Sequence, residues 1–256
     1  MNDVSLEELL RTSFQSQMVG IYTSIPCIVI GNDNIADGYV TVQPSLNKRY
    51  KNEVVEEHPP ILAVPLMFPA SSTSAFTFPV NVGDTVLCVF SQRGLDTLKV
   101  GTGKFVTPSD FRKFDKRDAI AIPGLFPFSA SINKQSNRTL PHSTSDAVIA
   151  HNIGTGAEVQ IRMTPAGDVL IQSPTKVTVQ CKEVIVNATT SATVTTPTAT
   201  VNATNTTWTG DLLITGDVVI DGSLDQSGIF TLDGTNINSH VHSGVSTGPS
   251  NTGPPV

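Results

Sequence analysis

The residues most able to do chemistry stand close to the end of the chain, at His240-Val241-His242. Two imidazoles at i and i+2 on a strand project to the same side. Counted back from them, the even positions from 212 to 238 read Leu212, Ile214, Val218, Ile220, Leu224, Gln226, Phe230, Leu232, Asn236 and Asn238, whereas every aspartate of the region (Asp211, Asp217, Asp221, Asp225, Asp233) is odd. The alternation predicts one buried face and one solvated face, with both histidines at the end of the buried column. Copies of such a strand gathered around an axis would bring their imidazoles together. Three copies give six neutral nitrogens in two stacked triangles, an octahedral donor set that suits iron(II) or nickel(II) better than four-coordinate zinc. An exposed HxH pair is the plainer alternative; the shared parity is what argues against it.

Other constellations carry less. His58, His142 and His151 have no partner at a ligand spacing and read as loop residues. Arg112, Lys113, Lys116 and Arg117 are interleaved with Asp110, Asp115 and Asp118, and the net charge is −6, so no nucleic-acid partner is expected. Asn137, Asn187, Asn202 and Asn205 match the glycosylation pattern, and without a secretory leader they read as inert. No nucleophile motif, phosphate-binding loop or isolated carboxylate pair stands out, so no enzyme and no small-molecule substrate is expected. A hexapeptide-repeat acyltransferase would need many coils of about 18 residues, and the hexads here supply fewer than two. A metal-dependent cupin would need a glutamate and a further histidine after the HxH pair, and none follows His242.

The elements that must hold the histidines divide the chain in two. Thirteen of the fifteen aromatic residues precede residue 130, and beyond Lys182 there is no lysine or arginine. Bulky side chains fill a globular core; small and β-branched ones suit a narrow β stack. Residues 5–18 predict a short helix with Ser5 as N-cap and Glu7 and Glu8 in the first turn, giving an N-terminal arm over 1–20. Runs at 21–30, 39–44, 61–67, 85–91 and 98–105 predict five strands of a small OB-type barrel, or a small sandwich, over 21–106. Residues 107–146 predict a connecting segment packed on the barrel through Phe126 and Phe128. Cys27, Cys88 and Cys181 are odd in number and far apart, which predicts reduced thiols packed as small hydrophobes in a protein made in a cytosol. The longest apolar runs fall well short of the roughly 20 residues of a membrane-spanning helix, and the acidic N-terminus predicts no signal peptide.

From 147 onward the texture is all strand. Residues 186–210 are uncharged and threonine-rich, and their β-branched bursts recur about every eight residues, which favours stacked β structure over a disordered linker. Glycines then recur at 210, 216, 222, 228 and 234, a strict period of six on the even face, where backbone would approach backbone closely. Such a narrow stack leaves too much strand edge for a lone chain. Self-association follows, and a three-fold prism is the economical form.

These features resemble the central spike, or baseplate assembly protein V-like protein, of contractile-tailed bacteriophages. The resemblance rests on the OB-like N-terminal part, DAIAIPGLFPF (118–128), GDLLITGDVVIDGSL (210–224) and SHVHSG (239–244). It implies an all-β homotrimer in the virion, at the tip of the tail baseplate. The barrel would attach to the tail tube, hub and other baseplate proteins, and residues 147–242 would form an intertwined β-helix needle. Residues 243–256 would cap the apex. One iron(II) per trimer would be held on the axis by His240 and His242. The needle would pierce the host outer membrane mechanically as the sheath contracts; no lysozyme domain fits between barrel and needle. A trimeric tail fibre or receptor-binding protein is the alternative.

Overall fold

Alternating apolar residues build the first sheet. In the computed structural model, which describes residues 5–18, 20–50, 52–237 and 248, an N-terminal helix α1 (Leu6–Met18) precedes strands β1 (Ser24–Gly31), β2 (Tyr39–Pro44), β3 (Lys48–Arg49), β4 (Val55–Glu56), β5 (Ile61–Pro65) and β6 (Thr85–Phe90). A single helical turn α2 (Asp96–Lys99) and strand β7 (Ala119–Pro123) follow. The Ser5 hydroxyl oxygen accepts from the Glu8 amide at 3.2 Å, so the expected N-cap is in place.

The barrel sheet has the antiparallel order β5-β2-β1-β6-β7. Its outer strands meet at a bridge between Leu66 and Ala121, where the Met67 amide donates to the Ala121 carbonyl at 2.9 Å. Every second side chain of β2 and β6 points inward, and Val29, Val40, Val42, Val64, Val86 and Cys88 are fully buried or nearly so. Each valine so placed contributes about 1.5–3 kcal/mol of transfer free energy. The small residues Ala119 and Ala121 let β7 come close enough to close the wall.

The barrel differs from expectation in its last strand. Residues 98–105 form no strand: Asp96–Lys99 is helical, and the sheet takes its fifth strand from Ala119–Pro123, inside the stretch assigned to the connector. Residue 106 is therefore not the end of the barrel. The expected packing of Phe126 and Phe128 also fails, since Phe126 is half-exposed and Phe128 is 99% exposed. What fastens the connector is polar. Glu158 is buried, and its carboxylate accepts from the amides of Thr139, Leu140 and Gly154 while pairing with Arg138.

A second, three-stranded antiparallel sheet is formed by β8 (Ala147–His151), β9 (Val159–Met163) and β10 (Val169–Gln172), in the order β10-β9-β8. His151 lies in β8 rather than in a loop, whereas His142 stands in a loop as expected, buried with its Nδ1 2.7 Å from the Ser143 carbonyl. The chain divides by contact into two compact units, Met1–Lys182 and Glu183–Val256. Within one chain the sheet at 147–172 thus falls in the first of these units. The second unit holds one hairpin among its described residues, β11 (Thr231–Leu232) and β12 (Thr235–Asn236).

Candidate assembly interface and metal-binding tip

Backbone amides and carbonyls need partners wherever they leave water. Over residues 174–227 the described chain makes no helix, no strand and no backbone–backbone hydrogen bond. The stacked strands expected there do not form within one chain. Side-chain exposure nevertheless alternates as the sequence predicted. Between 212 and 232 the even apolar residues are 40–67% exposed, and the odd ones (Leu213, Val219, Ile229) are 72–92% exposed. The even column is the more sheltered face, but a single chain does not bury it.

Within one chain, four of the five period-six glycines are set by backbone conformation. Gly210 (φ 110°), Gly222 (φ 151°), Gly228 (φ 113°) and Gly234 (φ 74°) have positive φ, a conformation that only glycine adopts without strain. A Cβ added at any of the five would meet no atom of this chain within 4 Å. Glycine here sets the bends of the chain; close approach within the chain is not the reason.

The hairpin alters the argument for the histidines. Asp233 (φ 47°) and Gly234 (φ 74°) form a two-residue turn with both central residues left-handed, the turn that Asp-Gly favours. Across it Leu232 pairs with Thr235 and Thr231 with Asn236, and the Ile237 amide donates to the Phe230 carbonyl at 2.8 Å. Paired residues share a face, so Phe230 and Leu232 lie with Thr235 and Ile237. Asn236 lies on the other side. The even column ends at this turn and does not carry through to Asn236. His240 and His242 lie outside the described residues, and alternation from Leu212–Leu232 cannot place them. Among the described residues no group of three or more His, Cys, Asp or Glu could hold a metal ion.

The basic cluster is neutralised inside the fold. Arg112 donates to Asp96 (2.6 Å), Asp110 (2.5 Å) and Asp118 (2.7 Å from Nε). Asp118 is completely buried and also accepts from the Leu95 amide at 2.8 Å. Burial alone would raise its pKa, but the Arg112 guanidinium and that amide outweigh it and hold the carboxyl below its usual range. Arg117 in turn holds Asp115 down at about 2. These groups tie α2 and the 110–118 loop to β7, a role that the sequence, read as interleaved charge, did not disclose. Cys27 and Cys88 are buried as expected, with Cys88 kept protonated by its hydrogen bond with Cys27 and by burial; Cys181 is exposed, contrary to expectation.

Residues 25–124 match the family model described as the phage protein Gp138 N-terminal domain. The match spans β1 to β7 and ends one residue after the barrel closes, so it coincides with the OB-like unit seen in the sheet order. It supports a structural protein of the bacteriophage virion, related to baseplate proteins. No curated protein matches the chain.

Proposed function

We propose that three copies of this chain form the central spike of a contractile phage tail, which pierces the host outer membrane when the sheath contracts. The observation that carries this reading is the stretch 174–227, which bears an alternating apolar column and makes no backbone–backbone hydrogen bond in its own chain. Three chains wound together would satisfy those amides and carbonyls with one another, enclosing Leu212, Ile214, Val218, Ile220 and Leu224 and leaving Asp211, Asp217, Asp221 and Asp225 in water. Load along such a needle falls on many ladder hydrogen bonds at once, and that cooperativity resists bending and unfolding. The Gp138-type barrel would seat the needle on the tail hub, and the reading needs no catalytic step.

The donor chemistry of His240 and His242 fits a metal at the tip, because three copies supply six neutral imidazole nitrogens, an octahedral set for iron(II). A bound ion there cross-links the three chains where stress is greatest. The histidines themselves hold the ion only when neutral, so the tip tightens above their ordinary pKa.

Native mass spectrometry with elemental analysis of untagged, full-length protein tests the proposal. The expected result is a mass of three chains with about one iron per three chains. A monomer overturns it. A trimer without metal returns the chain to the tail-fibre alternative.

A further inference from the structure

The β8–β10 sheet covers a mixed face (Val148, Ala150 and Leu170 beside polar residues) and leaves its more apolar face open, whereas ordinary antiparallel sheets bury the apolar face. Exposure alternates along all three strands. The covered positions include Gln160, Arg162 and Gln172, with Gln160 almost fully buried and donating to the Gln172 side-chain oxygen at 2.6 Å. The open positions are apolar apart from His151, which pairs with Val159 at one end of the sheet. Ile149, Ile161 and Ile171 stand directly opposite one another across the three strands, and Ala147, Met163 and Val169 form the next rung. All three isoleucines are exposed.

The stripe does not stop at the end of β10. The chain turns at Ser173, whose hydroxyl oxygen accepts from the Lys176 amide at 3.3 Å, and Val177 comes to line an open cavity of about 300 Å³ with Ile149, Ile161 and Ile171. The odd parity of Val169 and Ile171 then continues through Val177 and Val179 to Cys181.

We propose that this open face is the seat of a second copy of the chain, and that the copies come into register here, well before the glycine repeat. The inference rests on the self-association proposed above and assigns it a place. The face runs on through Val177 into residues 177–181, whose backbone makes no hydrogen bond within the chain, so whatever completes those edges also lies against the face. The face offers two wholly apolar rungs, with His151 and Lys176 at its cavity end. Apolar rungs set around an axis pack against those of neighbouring copies without needing matched charges.

Two variants of the full chain test this. Ile161→Lys places a charge on the central rung without touching the covered side; Val55→Lys, in the exposed strand β4, is the control. Native mass spectrometry across a dilution series should show wild type and Val55→Lys trimeric, and Ile161→Lys associating at least about tenfold more weakly. The second measurement uses Ile171→Cys in a Cys181→Ser background, since the other two thiols are buried. Iodoacetamide should label it about tenfold more slowly in assembled protein than in urea, which decides the matter even where Ile161→Lys fails to fold. A wild-type trimer in which Cys at 171 labels as fast as unfolded chain overturns the placement and leaves the spike reading standing. A monomeric wild type overturns both.

Discussion

Arg138 and Glu158 form an ion pair at 2.9 Å with side chains only 3% and 0% exposed, twenty residues apart in the chain. Glu158 accepts in addition from three backbone amides, so one carboxylate ties the C-terminal part of the connector and the β8–β9 loop to the start of β9. Burying a charge is costly unless it is matched, and here the matching is dense. The connector's fastening is therefore electrostatic where an apolar one was expected.

Removing that carboxylate leaves Arg138 buried without its counter-charge and three amides without an acceptor. Glu158→Ala should destabilise the unit by about 3–5 kcal/mol. Urea unfolding followed by far-UV circular dichroism measures this, and a midpoint equal to wild type would contradict the role given to the pair.

Acid should act through the same kind of group. Glu158 is held below the usual carboxylate range: burial would raise it, but the Gly154, Thr139 and Leu140 amides and then Arg138 prevail. Asp118 is depressed likewise, and Asp115 lies at about 2. A carboxylate whose folded pKa is depressed stabilises in full above its unfolded pKa, and that stability is lost as pH falls through the folded value. Thermal stability should thus hold from neutrality down to the ordinary carboxylate range and fall steeply below it, toward pH 2. A loss centred near pH 6 would point to histidine instead.

Arg112 makes forked contacts that lysine cannot reproduce. Arg112→Lys should lose about 1–3 kcal/mol and speed proteolysis in the 96–112 region, where α2 and its loop are tied to Asp118. Limited proteolysis with mass mapping reads this out; unchanged cleavage would mean the charges are not what holds the loop.

The glycine repeat offers a clean contrast. Gly228 has φ 113°, whereas Gly216 is not among the positive-φ glycines and has open space at its Cβ position within the chain. If bends are the reason for glycine, Gly228→Val should cost about 1–3 kcal/mol and Gly216→Ala almost nothing. Melting curves of the two variants decide it. A large loss at Gly216→Ala would show instead that a neighbouring copy approaches there.

At the tip, replacing His240 and His242 by alanine together should abolish bound metal and leave the trimer intact, with the residues after 238 cleaved faster by protease. Metal retained at wild-type stoichiometry in that variant would place the ligands elsewhere.

The parts legible in the sequence were those set by near neighbours. Ser5 caps α1 because its hydroxyl and the Glu8 amide are three residues apart. β1, β2, β5 and β6 announce themselves through period-two valines and isoleucines. β7 was equally visible as AIAIP, but which apolar run closes a barrel depends on the pairing of Leu66 with Ala121, fifty-five residues apart, and no local pattern reports that. The Asp233-Gly234 turn carries its own dipeptide signal, which the six-residue glycine period running straight through it masks. Glu158 looked like any surface acid, since its partners come from 138–140 and 154.

The lack of backbone–backbone hydrogen bonds over residues 174–227 also has a consequence in time and concentration. A barrel with its own buried core can fold as soon as it leaves the ribosome. If three copies assemble as proposed, the stretch after it orders only when other chains arrive, a multimolecular step whose yield climbs steeply with the number of copies present. Dilution should stall maturation at a half-folded state, with the barrel finished and the remainder waiting. The supply of chains inside the infected cell, more than the speed of any local folding event, would then set when the finished assembly becomes available.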